Sequence, residues 1–255
     1  MRRTVPLVVG AMSLALASAQ AAPVYSINGA PAVPIDPSGV INIGTLGTAV
    51  SLHIFDSATL GSGLPPQDSL GQLVIRANIV QGGSLTVGIV DGDDFPDVSN
   101  QPNTVYNRGL LSLGGLRLES PLNPGVEDPA LRDATTLIAW IGNPSAADPG
   151  SITGTISVGR VYALDVPGDL SGIVTATAND PNLDQGQMAI QRVRVGGALS
   201  GIVQATGGTP ERNALNEVQP LTQTASINTL IVGPGGTSLL ASVPAPAGRR
   251  DGATR

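Results

Sequence analysis

A ten-residue motif occurs twice in this chain. Residues 168–177 read GDLSGIVTAT and residues 197–206 read GALSGIVQAT, so the second copy follows the first at a spacing of 29. Apolar residues, many of them β-branched, roughly alternate with small or polar ones, which favours a strand over a helix. Each copy follows another strand-like segment that ends in a valine and a glycine turn, at Val166 and at Val195. The repeating unit is therefore predicted to be strand, glycine corner, strand and loop.

A third, less regular copy ends its first strand at Val232, at a spacing of 37 from Val195. The extra length falls after the second strand of each unit, in residues 179–187 and 207–224, which are rich in Asn, Asp, Pro, Gln and Gly. Insertions confined to one loop of each repeat are typical of a solenoid, whose stacked coils bury one another. A further block at residues 150–159 resembles residues 168–177 at a spacing of 18.

The Val-x-Gly-x-Leu-Ser-Gly-Ile-Val-x-Ala blocks resemble those of the secreted bacterial right-handed parallel β-helix, or β-solenoid, repeat proteins. The resemblance implies an all-β, right-handed parallel β-helix over residues 40–243, with variable loops at one corner. A β-sandwich, alone or joined to a short β-helix, is the alternative, although its antiparallel hairpins should not repeat at a fixed spacing. The 33 glycines and 21 prolines disfavour a helical solenoid.

The ends of the chain are predicted to lie outside this domain. Residues 1–21 combine two arginines, an apolar stretch and small-x-small cleavage patterns, as a secretory signal peptide does, and the apolar stretch is too short to span a membrane. The mature protein is thus predicted to be secreted or held at the cell surface, without a stable membrane span. Residues 22–39 are a proline-rich extended lead-in, and residues 244–255 a disordered tail.

Between these ends the chain predicts several more elements. Two glycine pairs, at residues 82–83 and 114–115, are predicted to be corners between strands. Residues 121–149 hold a possible domain sub-boundary and one faintly helical stretch, residues 128–133. The further predicted strands are residues 40–44, 50–55, 72–80, 84–90 and 136–141.

Composition limits the chemistry that the chain can perform. Thirteen arginines and no lysine stand against nineteen acidic residues, for a net charge of −6, which argues against nucleic-acid binding. There is no cysteine, and a single histidine, His53, lies in a strand-like pattern without a Gly-x-Ser-x-Gly motif elsewhere. The motifs of pectate lyases and polygalacturonases are missing too. No catalytic or cofactor-binding residue is predicted.

The densest acidic cluster is a candidate metal site. Asp91, Asp93, Asp94 and Asp97 lie close together in a glycine-containing loop, and such carboxylates suit Ca²⁺, which takes six to eight oxygen ligands. The stretch departs from an EF-hand loop, which would have glycine and glutamate where prolines stand here. A solvated acidic loop without metal is the alternative.

Two functions remain open from the sequence. The favoured one is an exported, non-catalytic structural or interaction protein, a β-solenoid that contacts a cell-surface polysaccharide or protein. The other is a divergent polysaccharide-active enzyme or carbohydrate-binding module on the same scaffold, which would use arginines such as Arg192 and Arg194. These two alternate with Val193 and Val195 and are expected to point out of the coil. The sequence pattern does not specify an oligomeric state.

Overall fold

The computed structural model describes residues 23–56, 68–89, 109–144, 147–177, 188–206, 224–233 and 238–239. These residues form an all-β protein with one short helix. The elements in chain order are β1 (Val24–Ile27), β2 (Val33–Pro34), β3 (Val40–Leu46), β4 (Ala49–Phe55), β5 (Ser69–Ile79), β6 (Ser84–Ile89), β7 (Ser112–Glu119), α1 (Pro129–Asp133), β8 (Thr135–Trp140), β9 (Ser151–Ile152), β10 (Thr155–Val158), β11 (Arg160–Val166), β12 (Asp169–Leu170), β13 (Ile173–Ala176), β14 (Met188–Val195), β15 (Ile202–Ala205), β16 (Thr224–Val232) and β17 (Ser238–Leu239).

The strands form two sheets, and the chain alternates between them. Sheet A has the order β17-β16-β14-β11-β8-β6-β4-β1-β2. Sheet B has the order β12-β9-β7-β10-β13-β15, with β5 also paired to β7 and β3 to β5. From β3 to β15 each strand of sheet A is followed by a strand, or two short strands, of sheet B. Strands of the same sheet are therefore parallel neighbours one circuit of the chain apart.

Residues separated by the spacing of the sequence motif are partners in the strand pairing. Val166 of β11 pairs with Val195 of β14, which pairs with Val232 of β16. In sheet B, β13 pairs with β15 at the same spacing as the motif, for example Ile173 with Ile202, and with β10 at the shorter one, Ile173 with Thr155. The three valines that the sequence takes as equivalent therefore lie side by side.

Apart from an isolated bridge between Glu119 and Glu127, antiparallel pairing within the described residues is confined to the two ends of sheet A. The first strand, β1, pairs in this way with β2 and β4, and β17 pairs with β16 at the other end. The lead-in at residues 22–39 thus contributes two strands to the sheet. An antiparallel sandwich would have such pairs throughout.

Aliphatic ladders explain how so few aromatic residues can build a core. Because side chains alternate along a strand, every second residue of each strand points into the core. There it packs beside the paired residue of the adjacent strand. Both sheets contribute to one continuous cluster of buried side chains. One ladder of sheet A runs through Leu52, Val87, Leu137, Val161, Ile190 and Ile227.

A glycine column crosses sheet B. It comprises Gly71, Gly114, Gly154, Gly172 and Gly201. From the second member onward, a Cβ added to each glycine would lie closer than 3.0 Å to the carbonyl oxygen of the preceding member, a distance that real Cβ atoms do not show. Successive circuits can therefore approach this closely only where the residue has no side chain.

Two sequence predictions differ from the structure. Residues 114–115 do not form a corner, because β7 runs straight through both glycines, which belong in or beside the glycine column. The long connections also do not all lie at one corner. Residues 177–187 and 206–223 follow strands of sheet B as predicted, but residues 56–68 and 90–111 follow strands of sheet A. The predicted strands within 40–90 and 136–141 are present as β3 to β6 and β8.

The predicted short helix is present as α1. Its N-cap residue, Asp128, accepts hydrogen bonds from the backbone N–H groups of Ala130 and Leu131. Leu131 is fully buried, and the helix packs against β5, β7 and β10 of sheet B. Leu131 belongs to the same buried cluster as the inward side chains of both sheets, so α1 contributes to the core.

Candidate functional site

The residues predicted to bind calcium cannot be placed. Asp91, Asp93, Asp94 and Asp97 lie outside the described residues, between β6 and β7. Within the described ranges no group of three or more His, Asp or Glu side chains is arranged to hold a metal ion. The signal peptide predicted at residues 1–21 and the tail at 244–255 also lie outside these ranges.

The single histidine sits on a strand, as its sequence pattern predicts. His53 belongs to β4, and its ring lies 4.6 Å from that of Phe55, the next position on the same face of the strand. Its backbone pairs with Ser26 on one side and Gly88 on the other. The side chain thus contributes to an aromatic contact on sheet A.

The most polar surface of sheet A lies across β8, β11 and β14. We call it the arginine face and define it as Trp140, Arg160, Tyr162, Asp165, Arg192 and Arg194. Alternation places it there, because the neighbouring residues Val161, Leu164, Val193 and Val195 are fully buried in the core. Asp165 on β11 is the register partner of Trp140 on β8 and of Arg194 on β14, so the three residues form one row across the sheet.

Asp165 is the buried acid of this face. It is 5 % exposed, and its Oδ2 accepts a hydrogen bond of 3.2 Å from Nη2 of Arg192. Burial raises the pKa of Asp165 above its ordinary value, although the charges of Arg192 and Arg194 act to lower it. The single carboxylate is therefore shared between two guanidinium groups, and Arg194 is the one left exposed to solvent.

Several buried polar atoms of the arginine face have no hydrogen-bond partner among the described residues. They include Nε1 of Trp140, Oδ1 of Asp165 and Nε of Arg192. These three are two donors and one acceptor, and leaving such buried groups unsatisfied costs about 1–3 kcal/mol each. The face thus has unused hydrogen-bonding capacity beside its excess of positive charge.

Arg160 and Tyr162 form the other side of the face. The guanidinium carbon of Arg160 lies 5.1 Å from the centroid of the Tyr162 ring, within the range of a cation–π contact. Arg160 belongs to β11 as Asp165 does. The three arginines of the face are thus distributed over two adjacent strands.

The described arginines outside this face each form an ion pair with a carboxylate. Arg76 and Arg117 both pair with Glu119, whose side chain is fully buried, and the Arg76–Glu119 distance is 2.9 Å. Burial acts to raise the pKa of Glu119, but hydrogen bonds from Arg76, Gly125 N–H and Arg117 bring it below the ordinary value.

The third of these arginines belongs to α1. Arg132 lies 3.0 Å from Glu127 and 2.8 Å from Asp133. Burial acts to lower the pKa of Arg132, but the two carboxylates raise it. Arg132 therefore has two carboxylate partners, whereas Arg76 and Arg117 share one.

A pair of carboxyl groups lies at the end of β4. Asp56 is fully buried, and its Oδ2 accepts a hydrogen bond of 3.1 Å from the backbone N–H of Asp68. Burial, together with the hydrogen bond and the charge of Asp56, raises the pKa of Asp68 to about 7. The Asp68 carboxyl group therefore keeps its proton up to near neutral pH.

Comparison with known proteins provides no identification. No protein-family model, no curated protein and no solved structure matches the chain. Within the described ranges no helix has the length and apolar character needed to cross a membrane.

Sequence reasoning identified part of the arginine face. The alternation of Arg192 and Arg194 with valines predicts their outward direction, and Arg194 is exposed. Trp140 and Asp165 were missed, because they become neighbours of the arginines only through the strand register. One signal was available, since Asp165 and its register partner Arg194 are separated by the same spacing as the two copies of the motif.

Proposed function

We propose that this chain is an exported, non-catalytic structural or interaction protein, built as a right-handed parallel β-solenoid, that contacts a cell-surface polysaccharide or protein. The observation that carries the proposal is the parallel pairing of successive strands as the chain alternates between two sheets. Each circuit adds one strand to each sheet, so an elongated surface grows from a short repeat. Crossover connections between parallel strands are almost always right-handed, which supports the proposed hand.

Two further observations support a role outside the cytoplasm and in contact with other molecules. Residues 1–21 have the pattern of a secretory signal peptide. The long connections at residues 56–68, 90–111, 177–187 and 206–223 follow strands of both sheets. Loops carried by a rigid scaffold are common contact sites.

The alternative of a carbohydrate-active protein rests on one specific feature. Aromatic side chains, Trp140 and Tyr162, accompany Asp165 and the arginines on one face, and such combinations bind sugars. For that function the face must be accessible to an external ligand. Enzymatic cleavage additionally requires an acid and a base at the scissile bond.

The experiment that tests the proposal separates binding from cleavage. The chain without its signal peptide is incubated with insoluble cell-wall polysaccharide and with envelope protein fractions, then sedimented, and new reducing ends are measured in the supernatant. We expect the folded chain to sediment with one of these materials without releasing reducing ends, and the same chain unfolded by heat to lose this specificity. Release that increases with protein concentration would contradict the non-catalytic proposal, and failure to sediment with either material would contradict the contact proposal.

A further inference from the structure

Arg194 is the part of the arginine face that solvent reaches most easily. It is exposed, whereas Arg160 and Arg192 are partly buried. Among the described residues, the ion pair of Asp165 is with Arg192, at 3.2 Å, and Arg194 acts on Asp165 only through its charge. The guanidinium group of Arg194 therefore has donors to offer to an anionic group that approaches from solvent.

An aromatic side chain lies at the other end of the same row. Trp140 and Arg194 are both register partners of Asp165, on the two strands that flank β11. Neighbouring strands lie about 4.8 Å apart, so the backbones at Trp140 and Arg194 are about 10 Å apart. Both Trp140 and Tyr162 are partly exposed. The row thus presents a ring surface and a cation at a separation on the scale of a disaccharide.

The hydrogen-bonding groups of the row favour sugar hydroxyls. Nε1 of Trp140 is a donor and Oδ1 of Asp165 an acceptor, and neither has a partner among the described residues. Asp165 is 5 % exposed, so its carboxylate is already largely removed from water. A hydroxyl group both donates and accepts, so it suits both atoms. The carboxylates of an acidic peptide only accept, and the charge of Asp165 would repel them.

We propose that the row of Trp140, Asp165 and Arg194 binds an acidic sugar unit of an external polysaccharide, with the sugar carboxylate on Arg194 and the ring on the indole of Trp140. Asp165 accepts from a sugar hydroxyl, and Arg192 holds the Asp165 carboxylate in place. The inference rests on the proposed function, because it names the ligand class for that contact. The whole chain has a net charge of −6, so local contacts and not long-range attraction must stabilise the complex.

The test therefore uses short oligosaccharides. Tetragalacturonate and tetramannuronate are the acidic probes, and their methyl esters are the neutral controls. Calorimetry at low salt measures the affinity, and emission of Trp140, the single tryptophan, reports the location. We expect saturable binding of an acid that shifts Trp140 emission, and an affinity lower by about two- to tenfold for its ester and for Arg194→Gln. Arg194→Lys keeps the charge and should retain part of the affinity.

Arg117→Gln is the matched control variant. Arg117 lies on β7 of sheet B, where it shares one carboxylate with a second arginine as Arg194 does. The two glutamine substitutions therefore change the net charge equally. Arg117→Gln should leave both the affinity and the Trp140 response unchanged, and circular dichroism checks that each variant is folded.

The outcomes separate this inference from the proposed function. Equal affinities for the acids and their esters, or an affinity that Arg194→Gln does not lower, would overturn the inference. Saturable binding of hexa-aspartate through Arg194, without binding of either acidic sugar, would assign the row to an acidic protein instead. A chain that sediments with cell-wall polysaccharide or envelope protein but binds neither tetrasaccharide would retain the proposed function and reject the inference. Failure in both assays would reject both.

Discussion

At the scale of single residues, Asp56 and Asp68 couple the fold to pH. Their carboxyl groups lie together at the end of β4, where Asp56 is fully buried. The folded state keeps the proton of Asp68 up to a pKa of about 7, whereas the ordinary value for the free side chain is 3.8. A carboxyl group whose pKa is raised on folding favours the folded state while the group is protonated. This contribution is lost at a pH high enough to ionise the group in the folded state.

The sign of the resulting pH dependence can be tested with Asp68→Asn. Between about pH 4 and pH 7 the folded state binds more protons than the unfolded chain, so the free energy of unfolding falls as the pH rises. Asparagine does not ionise, so we expect the Tm of this variant to exceed that of the wild type at pH 8 and to approach it at pH 4. Thermal unfolding followed by circular dichroism measures both.

The matched control for this prediction is Asp36→Asn. Asp36 is exposed, and hydrogen bonds from the Ser38 side chain and backbone lower its pKa. Its replacement should leave the fall of Tm between pH 4 and pH 7 in place. Equal pH profiles for the wild type and Asp68→Asn would show that the carboxyl pair does not hold the proton.

At the scale of elements, the close approach of successive circuits in sheet B depends on the glycine column. Four of its members lie so close to the carbonyl oxygen of the previous circuit that a methyl group cannot be inserted without movement of backbone. This close approach repeats only if each circuit has glycine at the same place. The two sequence motifs, with Gly172 and Gly201 at equal positions, satisfy this condition.

Alanine substitutions test the column directly. Gly172→Ala places a Cβ against the backbone of residues 153–154, and we expect a loss of about 1–3 kcal/mol in the free energy of unfolding. Gly71→Ala is the matched control, because a Cβ at this end of the column meets nothing within 4 Å. It should change stability by less than about 1 kcal/mol. Denaturant unfolding compares the two variants, and equal losses would contradict the role of the column.

The elements show what the sequence could and could not predict. The strands of the C-terminal repeats and the helix at Asp128 follow from alternation and capping, which are local properties. The glycines at 114–115 were predicted to be a corner because the same pair is a corner elsewhere. In the structure these glycines lie in close contact with the neighbouring circuits, at Gly71 and Thr155. No local pattern in the sequence reveals those contacts.

The candidate site was predictable to a smaller extent for the same reason. Alternation with valines identifies Arg192 and Arg194 as outward residues. Trp140 and Asp165 join them only because β8, β11 and β14 stack in a particular register. Charge balance is also a property of the assembled surface, since Arg76 and Arg117 find Glu119 only once their strands are paired.

At the scale of the whole molecule, stability should vary along the stack. Central strands such as β7, β8 and β11 are hydrogen-bonded on both sides, whereas β2 and β17 are very short strands at the ends of sheet A. Stacked repeats are stabilised mainly by their nearest neighbours. The ends therefore have fewer stabilising contacts than the middle.

Hydrogen exchange of the native protein tests this expectation. We expect the slowest amide exchange in β7, β8 and β11 and the fastest in β2, where Val33 is 47 % exposed. The measurement is exchange followed by mass spectrometry of peptides from the whole chain. Uniform protection from β1 to β16 would instead indicate that the two sheets open as one cooperative unit.

Val166 pairs laterally with Val195, so the chain can be shortened by one whole circuit without a change in strand register. Removal of residues 167–195, one whole circuit, would delete β12, β13 and β14 and join Val166 to Gly196. The pairings that were made with β14 would then be available to β11 in the same register, since Val232 would meet Val166 where it now meets Val195. A deletion shorter by a single residue would instead turn each following inward side chain to the outside. The protein is thus organised so that whole circuits, and not single residues, are the unit in which its length can change.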